Sequence, residues 1–207
     1  MTSILKADTI QDTDGNNIIN ENSNTITIGA SGDTITIPSG ATISNSGTAT
    51  GFGGITNSQI WLLTADTAMT GSSSFADITA NISEGTSLPG YARIGDAMSV
   101  SSGVFTFPTT GIWTVEGIFN TVGAEGYAQY QIRVTTNNST YNTAALSSEE
   151  NDNQEYSMLS VKAQVDVTDT SNVKVRFHIT AVTSQVTTRG NSNSNQTCMT
   201  FIRLGDT

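Results

Sequence analysis

Side chains able to do chemistry are few in this chain and stand far apart. His178 is the one histidine and Cys198 the one cysteine. A Ser–His–Asp apparatus needs a base in a cleft beside an activated serine, and no Gly-x-Ser-x-Gly elbow occurs. A zinc centre takes three or four His, Cys or carboxylate ligands, more than this pair supplies. The alternation of residues 172–182 puts His178 on the outward face of a strand. It reads there as a surface residue or a polar contact between copies. Cys198 has no His or Lys near it in sequence and reads as a small buried apolar residue. Being alone, it forms no intrachain disulfide.

Carboxylates offer two other sites. Glu149, Glu150, Asp152 and Glu155 crowd into residues 147–155 among Asn and Gln. Glycoside hydrolysis would need two carboxyls held across a groove. A polar, acidic run reads instead as a long exposed loop, solvated or gathered around calcium. Residues 12–17, with Asp12, Asp14, Gly15 and Asn16, match the first half of a calcium loop. The distant Glu is missing and Glu21 comes too early, so an Asp-Gly hairpin turn is the expectation. Tyr127 and Tyr130 lie in a strand and read as packing. Tyr141 and Tyr156 flank the acidic run, and with Glu149, Glu150 and Asp152 they form the expected recognition tip. The chain is not expected to be an enzyme, and calcium is the one ion to consider. Asn-x-Ser/Thr triplets at Asn81, Asn138 and Asn195 match chance in so Asn- and Ser-rich a sequence.

The elements that must position these residues are strands. Alternating runs rich in β-branched and aromatic residues occur at 60–64, 75–78, 98–101, 103–108, 111–121, 127–135, 158–167, 172–182 and 197–204. In 172–182, Val173, Val175, Phe177 and Ile179 take one parity; Lys174, Arg176, His178 and Thr180 take the other. Val161, Ala163, Val165 and Val167 repeat the pattern. Such faces build two half-buried antiparallel sheets packed as a sandwich. No stretch shows a helical period.

Upstream the pattern changes. Residues 24–29, 33–38 and 41–44 repeat a Thr-Ile motif, with Ile26, Ile28, Ile35, Ile37 and Ile43 as its apolar ridge. About three such units bury too little alone. Copies placed around a symmetry axis would close the ridge into a trimeric prism; otherwise the segment is an extended arm that orders on a partner. The expected division is a stalk and docking segment at 1–50, a Gly-rich linker at 51–58 and a head at 59–207.

Residues 103–119, a strand ending Phe-x-x-Pro, a Thr-Gly turn and an aromatic strand, resemble the central signature of the complement globular-head/tumour-necrosis-factor-like jelly roll. Residues 197–206 are similar to that superfamily's last strand. The resemblance covers residues 60–207 and implies an all-β head assembled as a compact homotrimer, the last strand running through the core. The long acidic loop at 147–155 departs from it. The N-terminal segment, from Ile4-Leu5-Lys6 through Ala41-Thr42-Ile43-Ser44, resembles stalk segments of tailed-phage virion proteins.

Charge narrows the partners. Eight Lys and Arg against eighteen Asp and Glu give a formal net charge of −10. That disfavours nucleic acid and anionic membranes, and no apolar run is long enough to span a bilayer. The N-terminus lacks the pattern of a signal peptide. The expectation is a trimeric structural protein of a virus particle. It would be a tail or fibre component touching a host-surface glycan or protein, bound to other virion proteins through its N-terminal segment. The alternatives are a capsid decoration protein clamping the shell and a secreted calcium-dependent lectin-like module.

Overall fold

The structure, a computed structural model, describes residues 9–11, 13, 17–23, 25–29, 31–44, 54–69, 74–123, 126–151, 155–181 and 185–207. The chain divides into two compact units, Met1–Thr50 and Gly51–Thr207.

In the first unit, β1 (Thr9–Gln11), β2 (Asn17–Asn22) and β3 (Thr25–Ile28) form an antiparallel sheet in sequence order. β1 and β2 pair antiparallel, and an Asp-Gly turn is the expectation for the residues between them. Residues 12 and 14–16 of that turn lie outside the described residues. The second and third Thr-Ile repeats differ from expectation. Residues 33–44 form no strand, and Ala41 N donates to Pro38 O at 3.0 Å in a turn. A strand needs a neighbour to satisfy its backbone groups, and among the described residues the sheet stops at Ile28. The whole ridge is bare: Ile26 is 68% exposed, and Ile28, Ile35, Ile37 and Ile43 lie between 47% and 59%.

The second unit is a sandwich. Its strands are β4 (Ser58–Leu63), β5 (Thr67–Met69), β6 (Ser74–Asp77), β7 (Ile82–Glu84), β8 (Ser99–Ser101), β9 (Val104–Thr106), β10 (Gly111–Gly123), β11 (Gly126–Thr135), β12 (Asn142–Asn151), β13 (Tyr156–Val167), β14 (Lys174–Ala181), β15 (Val186–Thr188) and β16 (Cys198–Gly205). A seven-stranded sheet runs β5-β15-β10-β16-β4-β7, with β13 also on β10. A six-stranded sheet runs β12-β11-β14-β9-β8, with β6 also on β14. All pairs are antiparallel. One 3-10 turn, Gly85–Ser87, is the only helical element among the described residues.

β10 organises the core. Its thirteen residues alternate buried and half-buried from end to end. Trp113, Val115 and Phe119 enter the sandwich, meeting Phe105, Phe177 and Phe201 from β9, β14 and β16. Phe105 lies 5.6 Å edge-on from both Trp61 and Phe177 and 4.9 Å from Phe201, and Phe107 lies 5.1 Å from Trp113. These offset and edge geometries suit ring quadrupoles. All four aromatics of the 103–119 signature are thus interior, and none is left for contact between copies.

Two glycines make this packing possible. Gly103 turns the chain at φ +76°, and a Cβ there would lie 2.2 Å from Ile78 O. Gly117 leaves room for the ring of Phe119, whose Cε2 a Cβ would meet at 2.6 Å. Phe119 in turn stacks on Tyr130 at 4.5 Å.

Candidate functional site

The structure separates the residues of the expected recognition tip. Residues 147–151 belong to β12, so the first half of the run is strand rather than loop. Glu149 sits opposite the buried Ala128 on the inward face. Its carboxylate accepts hydrogen bonds from the hydroxyls of Thr121 and Ser157. Those residues belong to β10 and β13 of the other sheet, so Glu149 ties the two sheets together. Each of its two oxygens thereby accepts from a hydroxyl of the facing sheet. Among the described residues no three His, Cys, Asp or Glu side chains converge on a common point. Glu150 is exposed, and Asp152 lies outside the described residues. Tyr156 is exposed with the Arg189 guanidinium 5.2 Å from its ring. Beside Glu149, the buried Tyr130 hydroxyl shares a 2.7 Å hydrogen bond with Thr188. Burial pushes its pKa well up, and the nearby carboxylate adds to the shift.

Tyr141 belongs elsewhere, at the opposite end of β12 from Glu149. There it joins the outward face of the six-stranded sheet. Cross-strand register sets Asp77 and Gln131 on either side of His178, and Arg133 directly opposite Arg176. Arg176 Nη1 donates to Asp77 Oδ2 at 3.0 Å, and His178 Nδ1 donates to Asp77 Oδ1 at 2.8 Å. The Arg176 guanidinium lies 4.0 Å over the Tyr141 ring, a cation–π contact. Arg133 Nη2 donates to Tyr141 O at 3.3 Å. Phe75 stacks on His178 with ring centroids 6.5 Å apart and remains 66% exposed. His178 therefore has the outward parity read from the sequence but not the exposure. Phe75 and Asp77 cover it, and only 8% of it is accessible.

The outward face of the seven-stranded sheet is different. Ile112, Ile118 and Val122 of β10 alternate with its core residues and are only half-buried. Ile60 and Ile202 adjoin them on β4 and β16, and Met158 on β13 is 66% exposed. This outward face is mixed: the apolar side chains alternate with Thr114, Glu116, Lys162, Gln164 and Thr200, and toward β4 Leu62 and Cys198 are fully covered. Cys198 opens β16, and burial raises its thiol pKa, which disfavours the reactive thiolate. A shallow hollow of about 370 Å³ is lined by Thr56, Asn57, Gly95, Asp96, Thr109 and Arg203. Its guanidinium is already spent on Thr110 O at 2.8 Å, Thr56 Oγ1 at 3.1 Å and the Asp206 carboxylate.

No family model matches the chain, and no curated protein matches it. Solved structures do. Murine APRIL at pH 5.0 is similar with a TM-score of 0.52 and 10% identity, over 72% of this chain and 99% of that one. Eiger TNF from S. frugiperda is similar with a TM-score of 0.50 and 8% identity, over 72% and 93%. The head has the fold of a tumour-necrosis-factor-like jelly roll. At such identities the likeness speaks for fold alone. The vertex protein P5 of PRD1 matches at a TM-score of 0.44, too low to carry an argument. Within this jelly roll, the Asp77–Arg176–Tyr141 group escaped sequence reasoning. The one available signal was a pair of arginines at 133 and 176 on strands whose partnership the sequence does not reveal.

Proposed function

We propose that the protein is a homotrimeric structural component of a virus particle, a tail or fibre protein whose heads touch the host surface. The observation that carries the trimer is the set of incompletely buried apolar side chains on the outward face of the seven-stranded sheet, interspersed with polar ones. In a lone chain Ile60, Ile112, Ile118 and Ile202 are only half-buried and Met158 is 66% exposed. Closing that face against identical copies removes it from water at about 25 cal/mol per Å². The bare Ile26, Ile28, Ile35, Ile37 and Ile43 ridge of the first unit makes the same demand independently. Residues 34–37 also carry a strand-like sequence without a strand partner, which neighbouring copies would supply.

Placement on a virion rests on the resemblance of the N-terminal segment to phage stalk segments; that segment would bind other virion proteins. Contact with the host is multivalent in this reading. Three heads per trimer and many trimers per particle turn weak contacts into stable attachment through effective concentration. The mechanism has no catalytic step.

Image reconstruction of the intact particle, with purified protein applied to host cells in parallel, tests the role. Density at the tail and binding to cells uphold it. Density on the shell, with binding only to undecorated shells, replaces it with capsid decoration.

A further inference from the structure

We infer that the outward face of the six-stranded sheet is a binding site for an acidic saccharide, centred on Arg133 and Arg176 and edged by the Phe75 ring. The inference refines the host-contact reading by naming a place and a ligand class.

Charge is the first argument. The chain carries eight Lys and Arg in all, at a net charge of −10. Three of the eight, Arg133, Lys174 and Arg176, stand side by side on this one face. Asp77 is the carboxylate among them, and it is shared between Arg176 and His178. Lys174 Nζ reaches only the neutral Thr106 hydroxyl, at 3.2 Å. Directly opposed like charges weaken a sheet. Arg133 opposite Arg176 is such a pair, so the fold carries a local cost that an anion between them would offset.

Unfilled hydrogen-bonding capacity is the second argument. A guanidinium has five N–H donors. Arg133 makes a single long bond to Tyr141 O, and Arg176 makes one to Asp77. The Nε of both is sheltered from water without a partner. A third sheltered polar atom without a partner, Thr180 Oγ1, lies on the same face opposite Phe75. Forked donors held in place by ring contact suit a carboxylate or sulfate, which accepts two parallel bonds.

The aromatic edge selects among anions. Phe75 presents the ring face not turned to His178 to solvent. Sugar C–H groups stack on such a face, and alongside it Gln129 and Gln131, bonded to each other and to Tyr127, Ser148 and Thr143, form a polar border. An acidic peptide would satisfy the arginines but would make less use of a flat exposed ring than a sugar face does.

The test uses the full chain and isothermal titration. The probes are a hyaluronan hexasaccharide, a neutral cellulose hexasaccharide and a hexaglutamate peptide, each at about 50 and about 300 mM NaCl. The acidic saccharide is expected to bind, more weakly at the higher salt, and the other two are not. Arg133→Gln should weaken that binding about tenfold or more, because it removes a charge-assisted fork, while the melting temperature holds or rises. If Arg133→Gln does not fold, Phe75→Ala decides, since its ring is largely exposed: threefold or greater weakening upholds the stacking argument, and unchanged affinity overturns it. The site is also overturned by no binding of the acidic saccharide, by equal binding of the neutral one or the peptide, or by unaltered affinity in folded Arg133→Gln. Any of these leaves the trimer and the virion role standing, because sedimentation and particle position report on those separately.

Discussion

Gly117→Ala is the sharpest test of how the core is assembled. A Cβ at residue 117 would lie 2.6 Å from Phe119 Cε2, 2.7 Å from Phe119 Cζ and 3.1 Å from Phe177 Cε1. Carbon atoms pack at about 3.5–4 Å, so the Phe119 ring must retreat by roughly 1 Å. It cannot do so freely, because it stacks on Tyr130 at 4.5 Å and Tyr130 is held by Thr188. Overpacking of this kind costs about 1–3 kcal/mol, and loosening the aromatic pair adds about 0.5–1.5 kcal/mol. A loss of about 2–3 kcal/mol lowers the melting temperature of a domain this size by roughly 5–10 °C. Calorimetry at fixed protomer concentration, so that assembly does not shift the midpoint, gives the value. The double variant Gly117→Ala/Phe119→Leu should be no less stable than Phe119→Leu alone, since the smaller side chain vacates the space. If Gly117→Ala melts within a degree of the parent, or if the two changes are additive, the close approach of Phe119 to residue 117 is not as described.

Other consequences follow from the same geometry. Glu149→Gln leaves two hydroxyl donors facing one carbonyl oxygen, and should cost about 1–3 kcal/mol in urea unfolding. The loss should be equal with and without calcium; a calcium-dependent gain that vanishes in the variant would restore an ion site there. Tyr130 has its pKa raised in the folded state, so its burial favours folding fully below pH 10. That contribution is lost as pH climbs from 10 toward the higher folded value. Stability should therefore fall above about pH 10 by up to ~1.4 kcal/mol per pH unit, and Tyr130→Phe should flatten that slope; an unchanged slope in the variant would show that other groups dominate. Phe105 touches Trp61, Phe177 and Phe201 from the centre of the core. Phe105→Ala should cost about 3–5 kcal/mol, and chemical denaturation giving less than 1 kcal/mol would move the core elsewhere.

Much of the fold was legible where strands are long and one-faced. The alternation of Val173, Val175, Phe177 and Ile179 marks β14, and all four are buried. β10 and β16 announce themselves in the same way. β5, β7 and β15 do not, because three residues cannot establish a period and their pairing depends on distant partners. β12 was hidden for another reason. It is an edge strand with a polar, acidic sequence, a composition that protects an edge from unwanted pairing but reads as loop. The second and third Thr-Ile repeats err in the opposite direction, carrying a strand pattern without a neighbour to complete it. The candidate sites were less legible than the fold. Parity told which way His178 points, yet nothing in the sequence said that Phe75 and Asp77 would cover it. Tyr141 and Glu149 looked like parts of one tip because they are near in sequence, whereas a ten-residue strand holds them apart.

The central claim is that identical chains close the outward face of the seven-stranded sheet over its half-buried isoleucines. Sedimentation of the full chain at micromolar concentration tests it most directly, with Ile118→Asp run beside the parent. Ile118 points away from the core, so the variant is expected to keep its fold and lose its assembly. The account predicts a parent at three times the 21.7 kDa chain mass and a variant at the mass of one chain. A parent that sediments as a single chain, or a folded variant that still sediments as a trimer, contradicts it.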